Sequence, residues 1–242
     1  MQVPIQRTVA SPRQYAKAFI KAWLALGYAT TPTQAQVGVL YAQWMVETGG
    51  AACWCWNVGN VKVTQGQVDA GVPWFDLPGT TEFINGVKKT LQPGDPGRRF
   101  RAFYSLDEAM GEHLAFLRNK RYRLCWPFVE AGDPVGFTHA LKAGGDGKEG
   151  TLDDYFTAPV GDYVKGMQGH FAYWLKSPAY ADALAEVLDE DEIETVPDGL
   201  TPGVDYRAEA EPRIVYAMPE TVLYDLTRDP DSEPPTPPDE AA

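Results

Sequence analysis

Apolar residues recur at helical spacing over most of residues 1 to 188. Each periodic stretch opens with a capping residue, followed either by proline or by the acidic residues of a capping box. The helix starts predicted in this way are Ser11-Pro12, Thr31-Pro32, Asp133-Pro134, Ser177-Pro178 and Ser105-Leu106-Asp107-Glu108. The pattern therefore predicts a mostly helical body.

Between residues 61 and 104 the pattern changes to short extended segments. These segments are Val61-Lys62-Val63, Thr80-Thr81-Glu82-Phe83 and Phe100 to Tyr104. An Asn85-Gly86 pair lies between the last two, and Asn-Gly favours a two-residue hairpin turn. We therefore expect an α+β fold in which a small antiparallel β-lobe is inserted into the helical body, with a cleft between the two parts.

The composition changes sharply after Leu188. Residues 189–242 contain 16 acidic and 3 basic residues, a net charge of -13, and nine of the chain's twenty prolines. Such a segment cannot bury enough apolar surface to offset the entropy lost on ordering. We expect one folded domain over residues 1–188 and an acidic, proline-rich tail over residues 189–242. The tail is either extended or docked onto a larger protein assembly through its apolar stretch, residues 213–226.

The remaining composition excludes several classes of protein. Residues 1–188 carry 18 basic and 17 acidic residues without clustering, which weighs against nucleic-acid binding. No segment is long and apolar enough to span a bilayer, and the start of the chain lacks a secretion signal, so synthesis in the cytoplasm is expected.

No metal or other cofactor is expected, and the three cysteines are interpreted as reduced thiols. Three histidines fit no catalytic-triad or metal-binding pattern and are expected to face solvent or to lie on helix surfaces: His113, His139 and His170.

Glu47 is the strongest candidate for chemistry. It lies seven residues after Leu40, which returns it to within about 20° of the apolar stripe on its predicted helix. It also lies in the last turn, before Gly49-Gly50, where the helix dipole disfavours a negative charge. A buried, protonated glutamic acid suits cleavage of a glycosidic bond, because the leaving oxygen must receive a proton. From periodicity alone, a structural glutamate bonded to neighbouring backbone groups is an equally good interpretation.

Four segments resemble, in the same order, motifs of the glucosaminidases of glycoside hydrolase family seventy-three, which include the hydrolase domain of flagellar rod assembly. The segments are Val46-Glu47-Thr48-Gly49, Asn57-Val58-Gly59-Asn60-Val61-Lys62, Thr80-Thr81-Glu82-Phe83-Ile84-Asn85-Gly86 and Phe100-Arg101-Ala102-Phe103-Tyr104-Ser105-Leu106. The similarity covers roughly residues 11 to 176. It implies a lysozyme-like fold and cleavage of the β-1,4 bond on the reducing side of N-acetylglucosamine in peptidoglycan.

The resemblance also implies roles for particular residues. Glu47 matches the general acid, and Glu82 matches a carboxylate on the β-hairpin that activates water or stabilises an oxocarbenium-like transition state. An exposed strand glutamate is the alternative for Glu82, and inverting, retaining and substrate-assisted mechanisms stay open. Tyr155 matches a cleft tyrosine and Tyr163 a second one, although Ala158 replaces the family's aspartate and the spacing to Tyr163 is two residues longer.

Substrate contacts are expected from aromatic and amide side chains. Sugar rings stack on aromatic rings, and acetamido groups accept and donate hydrogen bonds. The candidates for binding substrate are Trp54, Trp56, Asn57, Asn60, Lys62 and Trp74. Core packing is the alternative for each tryptophan, and Lys62 either orients Glu82 or ends a strand in solvent.

The sequence thus predicts an endo-β-N-acetylglucosaminidase that acts on peptidoglycan glycan strands. Two alternatives stay open: a muramidase or lytic transglycosylase on the same fold, and a non-catalytic wall-binding component of a phage tail or injection device. Without a secretion signal, we expect delivery to the cell wall by a virion, an injection device or lysis.

Overall fold

The computed structural model describes residues 1–50, 52–84, 87–119, 121–149, 155–156 and 159–191, with the side chains of 82–84, 87–88 and 191 left undescribed. Eight α-helices lie within these ranges: α1 (Pro12–Ala25), α2 (Gln34–Thr48), α3 (Gln65–Asp69), α4 (Leu106–Arg118), α5 (Trp126–Ala131), α6 (Pro134–Ala143), α7 (Val160–Trp174) and α8 (Ala179–Asp191). Six short strands accompany them: β1 (Arg7–Val9), β2 (Ala52–Trp54), β3 (Trp74–Asp76), β4 (Thr81–Ile84), β5 (Val87–Thr90) and β6 (Arg99–Arg101). The expected mostly helical α+β class is confirmed.

Side-chain caps fix the helix starts. Ser11, Ser105 and Asp133 cap α1, α4 and α6, as the sequence predicts. The start predicted at Thr31-Pro32 is wrong by two residues, because Thr33 caps α2. The Thr33 hydroxyl accepts from Gln36 N at 3.3 Å, and Gln36 Oε1 accepts from Thr33 N at 2.8 Å. This reciprocal pair satisfies two backbone donors of the first turn, which proline before the helix cannot do.

The helix α2 forms the centre of the main hydrophobic core. It packs against α1, α5, α6, α7 and α8, and nine of its fifteen residues are buried. Aromatic rings surround it: the Trp44 ring stacks on Tyr15 with centroids 4.6 Å apart, and the Tyr41 ring lies 4.6 Å from Trp174. A helix buried on nearly every side holds its polar side chains inside the protein. Glu47 is one of these.

Two glycines allow α2 and α7 to approach closely. A Cβ atom added at Gly38 of α2 would lie 2.5 Å from Cδ1 of Trp174. A Cβ atom added at Gly166 of α7 would lie 3.1 Å from Cγ2 of Val46. The absence of both side chains lets the backbones come together, and this contact places the start of α7 beside the end of α2.

The strands form three separate antiparallel pairs in the described residues, where the sequence predicts one small sheet. The pairs are β1 with β2, β3 with β6, and β4 with β5. The segment 61–63 is not a strand and makes a single bridge, from Lys62 to Phe100. Pairing of Ile84 with Val87 confirms the hairpin, whose turn residues Asn85 and Gly86 lie outside the described residues. The missed strands β1, β2 and β3 have three residues each, too few to show a period of two.

A second, smaller core lies under β3 and β6. The rings of Phe75 and Phe100 face each other across the pair with centroids 5.8 Å apart, and Cys55 and Ala102 complete the cluster. This cluster is distinct from the main helical core. The chain therefore has a helical body and a small β-containing region, each with its own buried apolar residues.

The last helix, α8, continues past Leu188 to Asp191, and the predicted domain boundary at Leu188 stays a prediction. Glu186 accepts from Arg13 Nε at 3.0 Å, and Glu190 pairs with Lys17 and Lys21 at 2.6 and 2.8 Å. The acidic run thus begins on the last turn of a helix that faces basic residues of α1. Residues 192–242, including the apolar stretch 213–226, lie outside the described part of the chain. Within that part, every helix is too short or too polar to cross a lipid bilayer.

Close packing at Gly38 and open space at Gly111 predict opposite effects of alanine substitution on stability. Gly38→Ala inserts a methyl group against the buried Trp174 ring, and should lower the free energy of unfolding by about 1–3 kcal/mol. Gly111→Ala in α4 is the matched control, because nothing lies within 4 Å of its Cβ position. It should raise stability by about 0.5–1 kcal/mol through helix propensity. Urea unfolding measures both; equal stabilisation by the two would show that the helices can separate without cost.

Candidate active site

The carboxyl group of Glu47 is buried at the end of α2. The helix ends at Thr48 and is capped by Gly49, which adopts the left-handed conformation with φ of 66° that glycine tolerates best. Glu47 is therefore in the last turn, and 5% of its surface is exposed. Its position on the apolar stripe, predicted from the spacing to Leu40, is confirmed.

Burial changes the acidity of this group. Desolvation raises the pKa of Glu47 from its ordinary 4.5 to about 7, against smaller opposing effects of Tyr163 and Asn60. Near neutral pH the side chain is thus divided between its neutral and charged forms. A carboxyl group in that state can donate a proton that an ordinary surface glutamate has already lost.

Tyr163, on the first turn of α7, contacts Glu47 directly. Its hydroxyl donates to Oε1 of Glu47 at 2.7 Å, and its ring stacks on Phe156 with centroids 4.4 Å apart. Burial first, and then the nearby Glu47, raise the pKa of Tyr163 well above its ordinary value. Tyr163 therefore stays a neutral hydrogen-bond donor. The structure brings these two sequence candidates together despite the altered spacing before Tyr163.

A strained loop after β2 lies against the end of α2. Cys55, Trp56 and Asn60 have φ values of 48°, 57° and 48°, in the left-handed region that side chains rarely adopt. The side chain of Asn60 donates to the main-chain carbonyl of Glu47 at 2.8 Å. The loop is therefore hydrogen-bonded to Glu47, the residue that carries the buried carboxyl group.

Asn57 holds this loop together, which differs from the substrate contact that the sequence suggests. Its amide nitrogen donates to the carbonyls of Val61 at 2.8 Å and Arg101 at 2.9 Å, and its amide oxygen accepts from Val61 N at 2.8 Å. The residue is buried, and both of its amide donors are used by backbone. Its role in the structure is to shape the loop.

Tyr155 is hydrogen-bonded to the same loop. Its hydroxyl donates to the carbonyl of Gly59 at 3.2 Å. Lys142 fixes the Tyr155-Phe156 segment at two points: its carbonyl accepts from Tyr155 N at 3.1 Å, and its ammonium donates to the carbonyl of Phe156. Tyr155 is therefore buried and supports the loop at Gly59, the residue before Asn60.

For the expected second carboxylate, on the β-hairpin, the structure describes only the main chain. Glu82 lies on β4 and pairs with Lys89 on β5. Its side chain lies outside the described residues, so its role and its distance from Glu47 stay predictions. Lys62 is not at a strand end in solvent, as one interpretation held. It is buried, desolvation lowers its pKa to about 8, and its Nζ lies 5.6 Å from the centre of the Phe100 ring.

The three candidate tryptophans differ in exposure. Trp54, on β2, is 39% exposed and presents its ring at the surface immediately before the strained loop. Trp56 is partly buried and packs against the main core. Trp74 is partly buried, and the guanidinium carbon of Arg99 lies 5.4 Å from the centre of its ring. Trp54 is therefore the most exposed of the three rings.

Two buried polar residues behind Glu47 were missed by sequence reasoning. Gln43 lies one turn before Glu47 on α2, and His113 of α4 contacts it, with Nε2 and Gln43 Oε1 3.1 Å apart. The expectation that His113 lies on a helix surface is wrong. Its spacing from Ala109, Met110 and Leu117 places it on the apolar stripe of α4, and this signal is present in the sequence. Burial lowers the pKa of His113 to about 4.

The part of the chain that the structure describes contains no candidate metal centre and no disulfide at the site. Among the described residues, no group of three His, Cys, Asp or Glu side chains is placed to hold a metal ion. The three cysteines are buried and free.

Comparison of the chain with protein-family profiles, with curated proteins and with solved structures finds no significant match. The motif resemblance to glucosaminidases therefore stays a prediction, and the geometry of the site is the independent observation.

The raised pKa of Glu47 predicts a pH-dependent effect of Glu47→Gln on stability. Between pH 4.5 and about 7 the folded protein keeps a proton on Glu47 that the unfolded chain releases. The stabilisation from that proton is complete below 4.5 and is lost as the pH rises through about 7. Relative to the wild type, Glu47→Gln should therefore gain about 3 kcal/mol on going from about pH 4 to about pH 8. Urea unfolding across this range measures the difference, and a constant difference would contradict the buried, protonated state.

Proposed function

We propose that this protein is a glycoside hydrolase that cleaves the β-1,4 bond after N-acetylglucosamine in peptidoglycan, with Glu47 as general acid. The observation that carries the proposal is the buried Glu47 carboxyl group, with its pKa raised to about 7 and Tyr163 bonded to one of its oxygens. A carboxyl group with a strongly raised pKa and a specific partner favours a catalytic role over a structural one.

The neighbours of Glu47 suit the reaction. As the glycosidic bond breaks, the leaving oxygen takes the proton of Glu47 and the side chain becomes a carboxylate. Tyr163 stays a neutral phenol, and its hydrogen bond to Oε1 strengthens as that negative charge forms. The bond therefore stabilises the product of proton transfer more than the starting acid, which lowers the barrier to the transfer.

The substrate class is supported by the motifs and by the surface next to the loop. Trp54 offers an exposed ring at the end of β2, immediately before the loop whose Asn60 donates a hydrogen bond to the main-chain carbonyl of Glu47. An exposed aromatic ring can stack on the apolar face of a sugar. The helical body with a separate small β-containing core also supports a lysozyme-like architecture as part of the proposal.

In this proposal the acidic tail attaches the protein to a larger protein assembly. Its net charge of -13 over residues 189–242 contrasts with the nearly neutral body. Attachment of this tail to a phage tail or injection device would bring the enzyme to the cell wall.

The proposal predicts that Glu47→Gln removes wall-degrading activity while the protein stays folded. The amide keeps the shape of the side chain but has no acidic proton, so turnover of purified peptidoglycan should fall on the order of a hundredfold or more. Glu186→Gln is the matched control, because that carboxylate lies on α8 and pairs with Arg13. It should retain wild-type turnover. A folded Glu47→Gln protein with more than about a tenth of wild-type turnover would exclude Glu47 as the general acid.

The proposal also predicts which bond is cut. Mass spectrometry of digested peptidoglycan should find new reducing ends at N-acetylglucosamine. Reducing N-acetylmuramic acid would identify a muramidase, and its anhydro form a lytic transglycosylase. Binding to the wall without new ends would identify a non-catalytic wall-binding component.

A further inference from the structure

A lysine side chain is buried next to the segment that carries Tyr155 and Phe156. Lys142, in the last turn of α6, is 6% exposed. Lysine is seldom buried to this extent, because its ammonium group loses hydration and its long side chain loses conformational freedom. The proposed general-acid step does not use Lys142, so its burial needs a separate explanation.

The ammonium group of Lys142 contacts Phe156 in two ways. Nζ donates to the main-chain carbonyl of Phe156, and it lies 4.8 Å from the centre of the Phe156 ring. A cation at this distance is attracted by the electrons on the face of an aromatic ring. The carbonyl of Lys142 also accepts from Tyr155 N at 3.1 Å. Lys142 therefore holds both the main chain and the ring of Phe156.

The Phe156 ring in turn limits where Tyr163 can lie. The two rings are nearly parallel, at 6°, with centroids 4.4 Å apart. Both residues are buried, so neither ring can move without disturbing closely packed neighbours. The Tyr163 hydroxyl donates to Oε1 of Glu47 at 2.7 Å. Each step from Lys142 to the carboxyl group is thus a direct contact between two residues.

We propose that Lys142 is a positioning residue for the proposed general acid: by holding Phe156, it keeps Tyr163 in hydrogen-bonding contact with Glu47. An O–H···O hydrogen bond extends only to about 3.0 Å, so a small displacement of the Tyr163 ring weakens this contact. The importance of Lys142 for catalysis rests on the proposed function, whereas its control of Tyr163 does not.

The titration of the Glu47 carboxyl carbon, followed by nuclear magnetic resonance, measures this contact without any substrate. Besides burial, the titration depends on Tyr163 from α7 and on Asn60 from the loop. Tyr155 and Gln43 face Tyr163 and influence it in turn. These groups stay in place in each of the Lys142 variants, so a change in the midpoint reports on how they are arranged.

Lys142→Met keeps the length of the side chain and removes its ammonium group. It should raise the Glu47 titration midpoint by about half a pH unit, because a displaced Tyr163 hydroxyl stabilises the carboxylate less. Lys165→Met is the matched control, since Lys165 is exposed on α7 two positions after Tyr163. It removes the same charge from the surface and should leave the midpoint unchanged. An equal rise in both variants, or no rise in Lys142→Met, overturns the proposal.

A Tyr163→Phe background separates positioning from a direct effect of the Lys142 charge on Glu47. Without the hydroxyl there is no hydrogen bond to position, so adding Lys142→Met should cause no further rise in the midpoint. A rise as large as that in the wild-type background would show that the ammonium group acts through space, and would overturn the proposal.

Phe156→Leu tests the stacked ring. It keeps the main-chain carbonyl to which Lys142 donates and removes the ring that lies against Tyr163. The Glu47 midpoint should rise by about as much as in Lys142→Met, because the same hydrogen bond is weakened. An unchanged midpoint would overturn the role of Phe156 as the link between Lys142 and Tyr163.

Protein stability separates this role from a structural one. Replacing a buried charge by an apolar side chain of similar size is often neutral or stabilising, so Lys142→Met should resist urea at least as well as the wild type. A loss of stability with an unchanged Glu47 midpoint would show a purely structural role and overturn the proposal. If Lys142→Met does not fold, Lys142→Gln, which is shorter and uncharged, is measured in its place with the same expected rise in the midpoint.

The kinetic readout depends on the proposed activity. Lys142→Met should lower kcat about tenfold with little change in KM, because it misplaces a group at the general acid and not the substrate. A rise in KM with unchanged kcat overturns the positioning role. If the wild-type protein hydrolyses no peptidoglycan, the proposed function fails, and the titration midpoints still decide whether Lys142 positions Tyr163.

Discussion

The burial of one carboxyl group at the carboxyl end of α2 is the constraint on which the site depends. A charge at Glu47 is disfavoured both by lost hydration and by the partial negative charge of the helix end. Two donors bind this residue: the Tyr163 hydroxyl donates to its carboxyl group, and the Asn60 amide donates to its main-chain carbonyl. Burial still exceeds these opposing effects, which is why its pKa is raised to about 7.

Close helix packing and a strained loop supply those donors. Tyr163 reaches Glu47 because glycines at positions 38 and 166 let α7 lie against α2. Asn60 reaches it because the loop adopts left-handed backbone at three residues, a conformation that Asn57 holds through three hydrogen bonds. Unfavourable backbone conformations persist where surrounding contacts determine them, and such positions are common at functional sites.

The buried histidine extends this organisation into the interior. His113 is kept neutral by burial, and a neutral imidazole can have one donor and one acceptor nitrogen. Its contact with Gln43 relates α4 to α2, as Tyr163 relates α7 to α2. Three helices thereby contribute buried polar groups to this part of the core.

Local signals in the sequence determined much of the fold and the identity of the central residue. Capping residues marked the starts of α1, α4 and α6, and the spacing from Leu40 placed Glu47 on a buried face. These properties depend on residues within one or two turns, so they can be seen in the linear chain.

The tertiary structure alone decided the partners of Glu47 and the separation of the strands into three pairs. Tyr163 is 116 positions from Glu47, and His113 is 70 positions from Gln43. Whether Asn57 contacts substrate or backbone likewise depends on Arg101, which arrives from another strand. Hydrogen-bond partners distant in the chain are set by the packing of whole elements, and periodicity within one element carries no information about them.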